Sequence, residues 1–401
     1  MKLKDFLILN EDGYPIDVNW EFAITVPEIA ALEKCEQSPK WHSEGNALIH
    51  TKQVVQKMFE RLNDFTHPIS NHINMKSVSA RHACILVGAA LFHDLGKATT
   101  TEFKKGAWHA YGHEIESEKI LRTLLYDEDF RTREILCTLV SLHMEPLLYN
   151  ISNWAKKMQN AQSRIITIDN EFTIADLFLL KWADTAGSEP SEKCRNDKDL
   201  IFLNKMMQHK IYWEDAMVNL TQKELIANVK DFIGYQTGKK ELYGIVLIGL
   251  PGAGKNHWID NHRQLLFPDK TYKSISRDDI RIKLGFCKPG EKYMGSSQEE
   301  TAVSKVFDNE VRDAAEKYDI IIFNNINLRS QYRNHYKELL DKDYNVKWIY
   351  IYIESDNLNI NIARRQEQIP ADQFPKMVRK FEWPTPDEYD EIYFYNSGDK
   401  I

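Results

Sequence analysis

The sequence predicts a two-domain protein: an all-α helical bundle in the N-terminal half and an α/β fold with a parallel sheet in the C-terminal half. Three observations carry this. Before residue 190, helical periodicity recurs in segment after segment, with a histidine or aspartate on or beside the apolar face. From Tyr243, a short apolar run (Ile245 to Ile248) breaks at Gly249 into a Gly/Pro turn and then a polar helical pattern. Beyond it, apolar runs of strand length alternate with charged helical ones. A chain of 401 residues is long enough for each half to bury its own core.

Composition narrows the class. A net charge of -7 argues against broad coating of nucleic acid, though not against an enzyme that grips a strand end through a few local basic residues. The longest apolar run, Ile85 to Phe92, is far too short to span a bilayer, and no signal pattern opens the chain. Five scattered cysteines without metal spacing read as reduced thiols, so the expected setting is cytoplasmic, with no membrane partner.

Residues 1 to about 20 read as an irregular or short-stranded lead-in. A helical pattern starts at Pro27, with Ile29, Leu32 and Cys35 on one face. In 41–62, His50, Val54, Met58 and Leu62 recur every four residues, which turns His50 inward. Residues 78–94 form a buried helix ending in His93-Asp94, followed by Leu95-Gly96-Lys97. Helices near 113–125 and 129–143 follow; His113 opens the first, and Leu136, Leu139 and Val140 flank His143 in the second. In 172–185, Leu177, Leu180 and Asp184 share one stripe.

A lone inward histidine is usually a satisfied core residue. Several together, with a buried aspartate lacking an obvious partner, are another matter. An unpaired buried carboxylate is costly, and a shared metal ion satisfies the whole set at once. Imidazole and carboxylate donors suit Mn, Fe, Co, Ni or Zn.

The order H…HD…H…H…D resembles the HD-domain phosphohydrolases over roughly residues 25–190. WHSEGNALIHT, ALFHDLGKATT, YGHEIESEKI, LVSLH and WADTAGS look like successive signature blocks of the branch with tRNA nucleotidyltransferase-type HD modules. The resemblance implies that His50, His93, Asp94 and Asp184 hold a first metal. His113 and His143 would complete a second site or contact the phosphate, and Lys97 would neutralise phosphate charge. His42 and His109 are weaker candidates, more in keeping with loop or hydrogen-bonding roles. The implied chemistry is metal-assisted phosphoester hydrolysis, in which the ion acidifies water and stabilises the charge developing on phosphorus.

The connector turns polar at 236–241, where the boundary is placed: residues 1–235 form the phosphohydrolase module with a helical extension, and 241–401 the second domain. Residues 195–235 are expected to pack as helices on the first module. In the second domain, Gly249, Gly252, Ala253, Gly254, Lys255 and Asn256 form a G-x4-G-K loop. Its glycines let backbone N–H groups surround a phosphate at a helix N-terminus, and Lys255 reaches the outer phosphates of ATP or another NTP. Asn256 stands where a hydroxyl residue usually ligates Mg²⁺; an amide oxygen is a less usual substitute. Strands are expected at 271–276, 319–324 and 348–354. The first runs into SRDDIR, placing a carboxylate at the carboxyl edge of a parallel sheet, where it can take a proton from an attacking hydroxyl.

GLPGAGKN, SRDDIR, FNNINL, IARRQEQIP and FPKMVRKFEWP resemble the polynucleotide 5′-kinase branch of P-loop phosphotransferases. This implies Asp278 as general base on a 5′-hydroxyl, Arg281 on the acceptor strand's phosphate, and Arg364 and Arg365 on a lid over the donor phosphates. Asp279 is as well explained as a helix cap. Asn325 stands where an aspartate commonly ends the third strand, so, like Asn256, it removes an option for handling Mg²⁺ or orienting Arg281. Lys376, Arg379 and Lys380 with Phe381 and Trp383 are a candidate acceptor-binding face, or a plain solvated surface.

Together the halves resemble the bacterial HD-Pnk end-healing enzymes. The resemblance implies removal of a 2′-phosphate, 3′-phosphate or 2′,3′-cyclic phosphate by one module and phosphorylation of a 5′-hydroxyl by the other. RNA strand ends are the favoured substrate, DNA ends the second choice, and a separate ligase the functional partner. A nucleotidase fused to a small-molecule or nucleoside kinase is the alternative enzyme. A non-catalytic nucleotide-binding regulator is the alternative of another class, and the two asparagines are its best support.

Overall fold

The computed structural model describes residues 1–63, 78–148, 153–191, 197–203, 239–288, 295–355 and 372–396. The chain divides into two compact units, Met1–Glu224 and Leu225–Ile401. The join lies outside the described residues, as does most of the expected helical extension at 195–235.

The first unit is helical: α1 (Ala47–Asn63), α2 (Ala80–Phe92), α3 (His113–Leu124), α4 (Phe130–Leu142), α5 (Trp154–Ile168) and α6 (Ile174–Gly187). It opens with a hairpin of β1 (Leu7–Leu9) and β2 (Pro15–Val18). A second hairpin, β3 (Glu102–Lys104) and β4 (Ala107–His109), lies between α2 and α3. The first falls in the lead-in expected to be irregular or short-stranded; the second lies where no strand was expected. The Pro27 helix forms one α-turn and continues as a 3-10 turn to Lys34, with Ile29, Leu32 and Cys35 buried as its periodicity predicts.

Helices α2, α4 and α6 are buried on nearly every side; α2 and α6 are largely apolar, whereas α4 buries Arg133 and Glu134 as a pair. Helix α1 packs on α6 and α2, α3 on α4, and α4 on α2. Side chains start these helices where the sequence supplies them. Ser79 accepts from His82 N–H, Asp129 from Thr132 N–H, and Thr173 forms a capping box with Asp176. Gly96 sets a close approach: a Cβ there would lie 2.2 Å from His113 O and 2.7 Å from Ser117 N. Its N–H donates to Ser117 Oγ at 2.8 Å. Only glycine lets the turn after Asp94 lie against the first turn of α3.

The second unit contains β5 (Glu241–Ile248), α7 (Lys255–Leu266), β6 (Tyr272–Ile275), α8 (Arg277–Lys283), α9 (Ser297–Lys317), β7 (Ile320–Phe323), α10 (Ser330–Leu340), β8 (Asn345–Glu354), α11 (Gln373–Val378) and β9 (Glu391–Asn396). The strands form one parallel sheet in the order β6-β7-β5-β8-β9. The chain runs outward from β5 to β6, returns to β7 beside β5, and then crosses to β8. The carboxyl end of β5 is therefore where the connections diverge, the usual ligand crevice of an open α/β sheet. Among the described residues, no helix is long and apolar enough to cross a membrane.

Gly244 of β5 pairs with Trp348 of β8, and a Cβ at 244 would meet the indole ring at 2.5 Å. Gly244→Ala should destabilise the second unit by about 1–3 kcal/mol, the usual cost of overpacking. Urea unfolding of the full chain followed by tryptophan fluorescence should show an earlier transition; an unmoved midpoint would contradict the tight sheet packing.

Candidate functional sites

Five elements of the helical unit converge on one cluster. His93 and His143 are the C-caps of α2 and α4. Each directs Nδ1 to a last-turn carbonyl, Ala90 O at 2.9 Å and Val140 O at 2.7 Å. His113, first residue of α3, does the same to Ala110 O at 2.7 Å. A carbonyl only accepts, so Nδ1 carries the proton in all three, and a ring that is neutral presents a bare Nε2. Backbone carbonyls, two in the last turns of α2 and α4 and one in the turn before α3, thus fix the tautomer of these three histidines.

These nitrogens and two aspartates meet at short range. Asp94 Oδ1 is 3.2 Å from His113 Nε2 and 4.0 Å from His143 Nε2. Asp94 Oδ2 is 3.1 Å from His93 Nε2, 3.7 Å from His50 Nε2 and 2.7 Å from Lys97 Nζ. Asp184, on α6, brings Oδ1 to 3.0 Å from His50 Nε2 and 3.8 Å from His93 Nε2. His113 and His143 face each other, Nε2 to Nε2, at 3.3 Å. All six residues expected as metal ligands, His50, His93, Asp94, His113, His143 and Asp184, are buried and brought together.

The cluster fits a metal ion on its own chemistry. His93 Nε2 and both Asp94 oxygens are buried without a hydrogen-bond partner, although charged neighbours lie close. Lone pairs therefore point at common centres rather than at donors. Two sets, His50/His93/Asp184 and Asp94/His113/His143, each offer ligand atoms within 4.8 Å of one another. Burial, together with His113 and His93 beside it, holds His143 well below the ordinary histidine range, in the neutral form a metal requires. Burial opposes ionisation of Asp94, yet His93 and Lys97 outweigh it and hold the carboxyl well below the usual carboxylate range. Burial acts the same way on Asp184, where Lys181 and His50 outweigh it.

Three further residues, Glu44, Lys181 and Gln37, belong to this site. Glu44 brings Oε1 to 3.0 Å from His50 Nδ1 and 2.8 Å from His42 Nδ1. It orients His50, whose pKa burial would lower but which the Asp184 and Glu44 carboxylates hold above the ordinary value. His42 is displaced the other way, to about 4, chiefly by burial. Lys181 Nζ lies 2.6 Å from Asp184 Oδ2, and Gln37 Oε1 accepts from Lys97 Nζ at 2.8 Å. The i, i+3 spacing of Lys181 and Asp184 on one helix was a usable signal; Glu44 and Gln37 stand in loops and offered none. The cluster floors a cavity of about 670 Å³ lined also by Trp41, Trp108, His109 and Tyr111.

In the α/β unit the phosphate loop joins β5 to α7. Gly252 and Gly254 have φ of +88° and +104°, and Gly254 is the N-cap of α7. Lys255 Nζ donates to Gly249 O at 2.8 Å and Leu250 O at 2.9 Å, so its ammonium lies along the loop. Asn256 Oδ1 accepts from Asn324 Nδ2 at 2.7 Å, tying the start of α7 to the end of β7. Asn325 Oδ1 accepts from Arg277 N–H at 2.9 Å and so positions the start of α8. Asn327, buried with φ +53°, donates to Leu247 O and Phe323 O, locking the ends of β5 and β7 together.

Ser276 caps α8, accepting from the N–H groups of Asp278 and Asp279; Asp279 is not its own cap. The Asp278 side chain is 84% exposed and accepts from Arg281 Nη1. Glu300 on α9 holds the other side of that guanidinium, Nε at 2.9 Å and Nη2 at 3.2 Å, and takes Arg277 as well. Glu300 therefore orients Arg281, and the sequence did not single it out. Phe381 and Trp383 of the expected acceptor face are buried, packed with Tyr352 and Phe394, so they offer no stacking surface to a strand. Arg364 and Arg365 lie outside the described residues.

Comparison with known proteins agrees with both halves. The HD domain model matches residues 48–169 and the AAA domain model residues 245–384. A crystal structure of a fungal RNA kinase matches with 16% identity and a TM-score of 0.26, covering 40% of this chain and 78% of that one. A search of curated proteins returns no match. The chain thus joins a helical unit that matches the HD domain model to a parallel α/β unit that matches the AAA domain model and carries a phosphate loop.

Glu44→Ala should weaken divalent metal binding about 10- to 100-fold, as loss of an orienting carboxylate does elsewhere. Calorimetric titration with Mn²⁺ checks this, and unchanged affinity would remove Glu44 from the site.

Proposed function

We propose that the chain is a bifunctional end-healing enzyme acting on broken RNA, with DNA ends a second substrate and a separate ligase acting after it. The HD unit removes a 2′/3′-phosphate or opens and removes a 2′,3′-cyclic phosphate; the α/β unit transfers the γ-phosphate of ATP or another NTP to a 5′-hydroxyl. The observation that carries the reading is the presence, in one chain, of two distinct sites built for phosphate. One is a convergent imidazole–carboxylate cluster at the floor of a cavity; the other is a glycine loop with a carboxylate–arginine pair at the sheet's edge.

In the HD unit, His50, His93, Asp94 and Asp184 would hold one ion and His113 and His143, with Asp94, a second. A divalent ion of the Mn, Fe, Co, Ni or Zn type supplies positive charge at the phosphate when bound. Lys97 and Lys181, each on an outer aspartate oxygen, neutralise the carboxylates and stand ready for phosphate oxygens. In the α/β unit the loop N–H groups and Lys255 bind the outer phosphates, with Mg²⁺ as their counter-ion. Asp278 takes the 5′-hydroxyl proton as that oxygen attacks the γ-phosphorus, while Arg281 holds the acceptor's phosphate and Arg364 and Arg365 close over the donor.

The test is a short RNA with a 5′-hydroxyl and a 3′-phosphate, incubated with ATP and a panel of divalent metals and followed at both ends by mass spectrometry. Gain of phosphate at 5′ and loss at 3′ is the expected result. Asp278→Asn should abolish the gain and spare the loss; Asp94→Ala should do the reverse. A folded variant that loses both activities would sink the two-site reading, and turnover of mononucleotides alone would select the nucleotide-metabolism alternative. One observation favours nucleotide binding without transfer: the Asn256 amide oxygen is engaged by Asn324. ATP binding with an unchanged strand would select that reading for the α/β unit.

A further inference from the structure

The cavity of the HD unit has an aromatic wall that its phosphate chemistry does not use. Tyr111 is 75% exposed and stacks on His109, with ring centroids 5.2 Å apart and planes within 10°. His109 ends the β3–β4 hairpin, whose Trp108 packs edge-on against Phe103 at 5.1 Å. Trp108, His109, Tyr111 and Trp41 all line the cavity that holds Asp94, His113 and His143. A single exposed ring needs no explanation. A parallel pair of rings beside a polar, phosphate-suited floor does, because stacking rings are what a nucleobase recognises.

Chain geometry places the pair at the right reach. Tyr111 is two residues from His113, so their Cα atoms lie within about 7.6 Å, twice the 3.8 Å step of a trans peptide. Gly112 between them has φ +74°, a conformation that turns the backbone from the aromatic stack into α3 and that side chains rarely adopt. The stack and the ligand-bearing helix end are therefore joined by one fixed turn. A nucleotide spans a similar distance from its phosphate to its base.

We propose that Tyr111 and His109 form a base-stacking subsite, which receives the base of the nucleotide whose 2′- or 3′-phosphate lies over Asp94, His113 and His143. This rests on the phosphohydrolase reading of the HD unit and names its substrate class: phosphates borne on a nucleoside. Every base has a π face, so the subsite accepts any terminal base while disfavouring aliphatic phosphates. The stacked face of Tyr111 is the specificity element; the metal cluster below it is indifferent to the base.

The test is equilibrium binding to the full-length protein, by calorimetry without added metal so that neither ligand is turned over, of uridine 3′-monophosphate against glycerol 2-phosphate. The wild type should prefer the nucleotide. Tyr111→Ala should cut that preference about 5- to 150-fold, the range that stacking on one aromatic supports, and Tyr111→Phe should restore it. A preference that Tyr111→Ala leaves unchanged, or a wild type that binds both phosphates equally, overturns the subsite. The readout does not depend on strand repair. If Tyr111 governs nucleotide preference but RNA ends are left unprocessed, the end-healing reading fails and the subsite stands.

Discussion

The helical unit depends on one buried carboxylate. Asp94 is nearly inaccessible to water, and neither of its oxygens has a hydrogen-bond partner. Alone, such a charge would cost several kcal/mol and would be expelled or protonated. It stays ionised because a protonated His93 adds positive charge and Lys97 lies at 2.7 Å, while α2, α3 and α4 bring imidazole nitrogens within reach of it. Every local feature around it follows from that demand. Gly96 is bare so that α3 can approach, and backbone carbonyls take the Nδ1 protons of His93, His113 and His143 so that their Nε2 atoms face inward. A bundle that needed only stability would have put leucines there.

The α/β unit meets its own constraint by a different route. Its loop must keep backbone donors aimed at an anion, so the strands and helices around it have to be held rigid from behind. Three asparagines do this with neutral amides: Asn324 to α7, Asn325 to α8, and Asn327 across β5 and β7. Amide ties cost less desolvation than carboxylates in the same places. They also explain how a chain that lacks an aspartate at 325 still positions α8: the backbone N–H of Arg277 is fixed by an amide, and the Arg281 guanidinium by Glu300.

How much of this could be read beforehand follows from what each residue announces. His50, His93, Asp94, His113, His143 and Asp184 interrupt apolar periodicity, and each interruption is visible because burying it is expensive. The glycine loop is visible because its spacing is rigid. Glu44, Gln37 and Glu300 interrupt nothing; they sit on loops or exposed faces where acids and amides are ordinary, and only the fold shows what they face. The β3–β4 hairpin and β9 escaped because short strands beside polar turns leave little pattern. The interleaved bases and aromatics near 376–383 left two readings open for the converse reason: such alternation serves a strand-binding face and also a segment whose rings are buried, and here Phe381 and Trp383 are buried.

Charge balance in the HD cavity ties its chemistry together. Asp94, Asp184 and Glu44 carry three negative charges, and Lys97 and Lys181, paired with the two aspartates, carry two positive ones. The histidines that face the centre add lone pairs without charge when neutral. A divalent ion entering this set therefore brings charge that the protein groups cancel only in part, in a setting where water screens little. The natural counter-charge is a phosphate dianion arriving through the cavity. A site of this composition should bind metal and phosphate cooperatively, each completing the neutrality that the other disturbs. The lysines are then as necessary as the ligands: without them the aspartates alone would neutralise the ion, and the pull on phosphate would be lost.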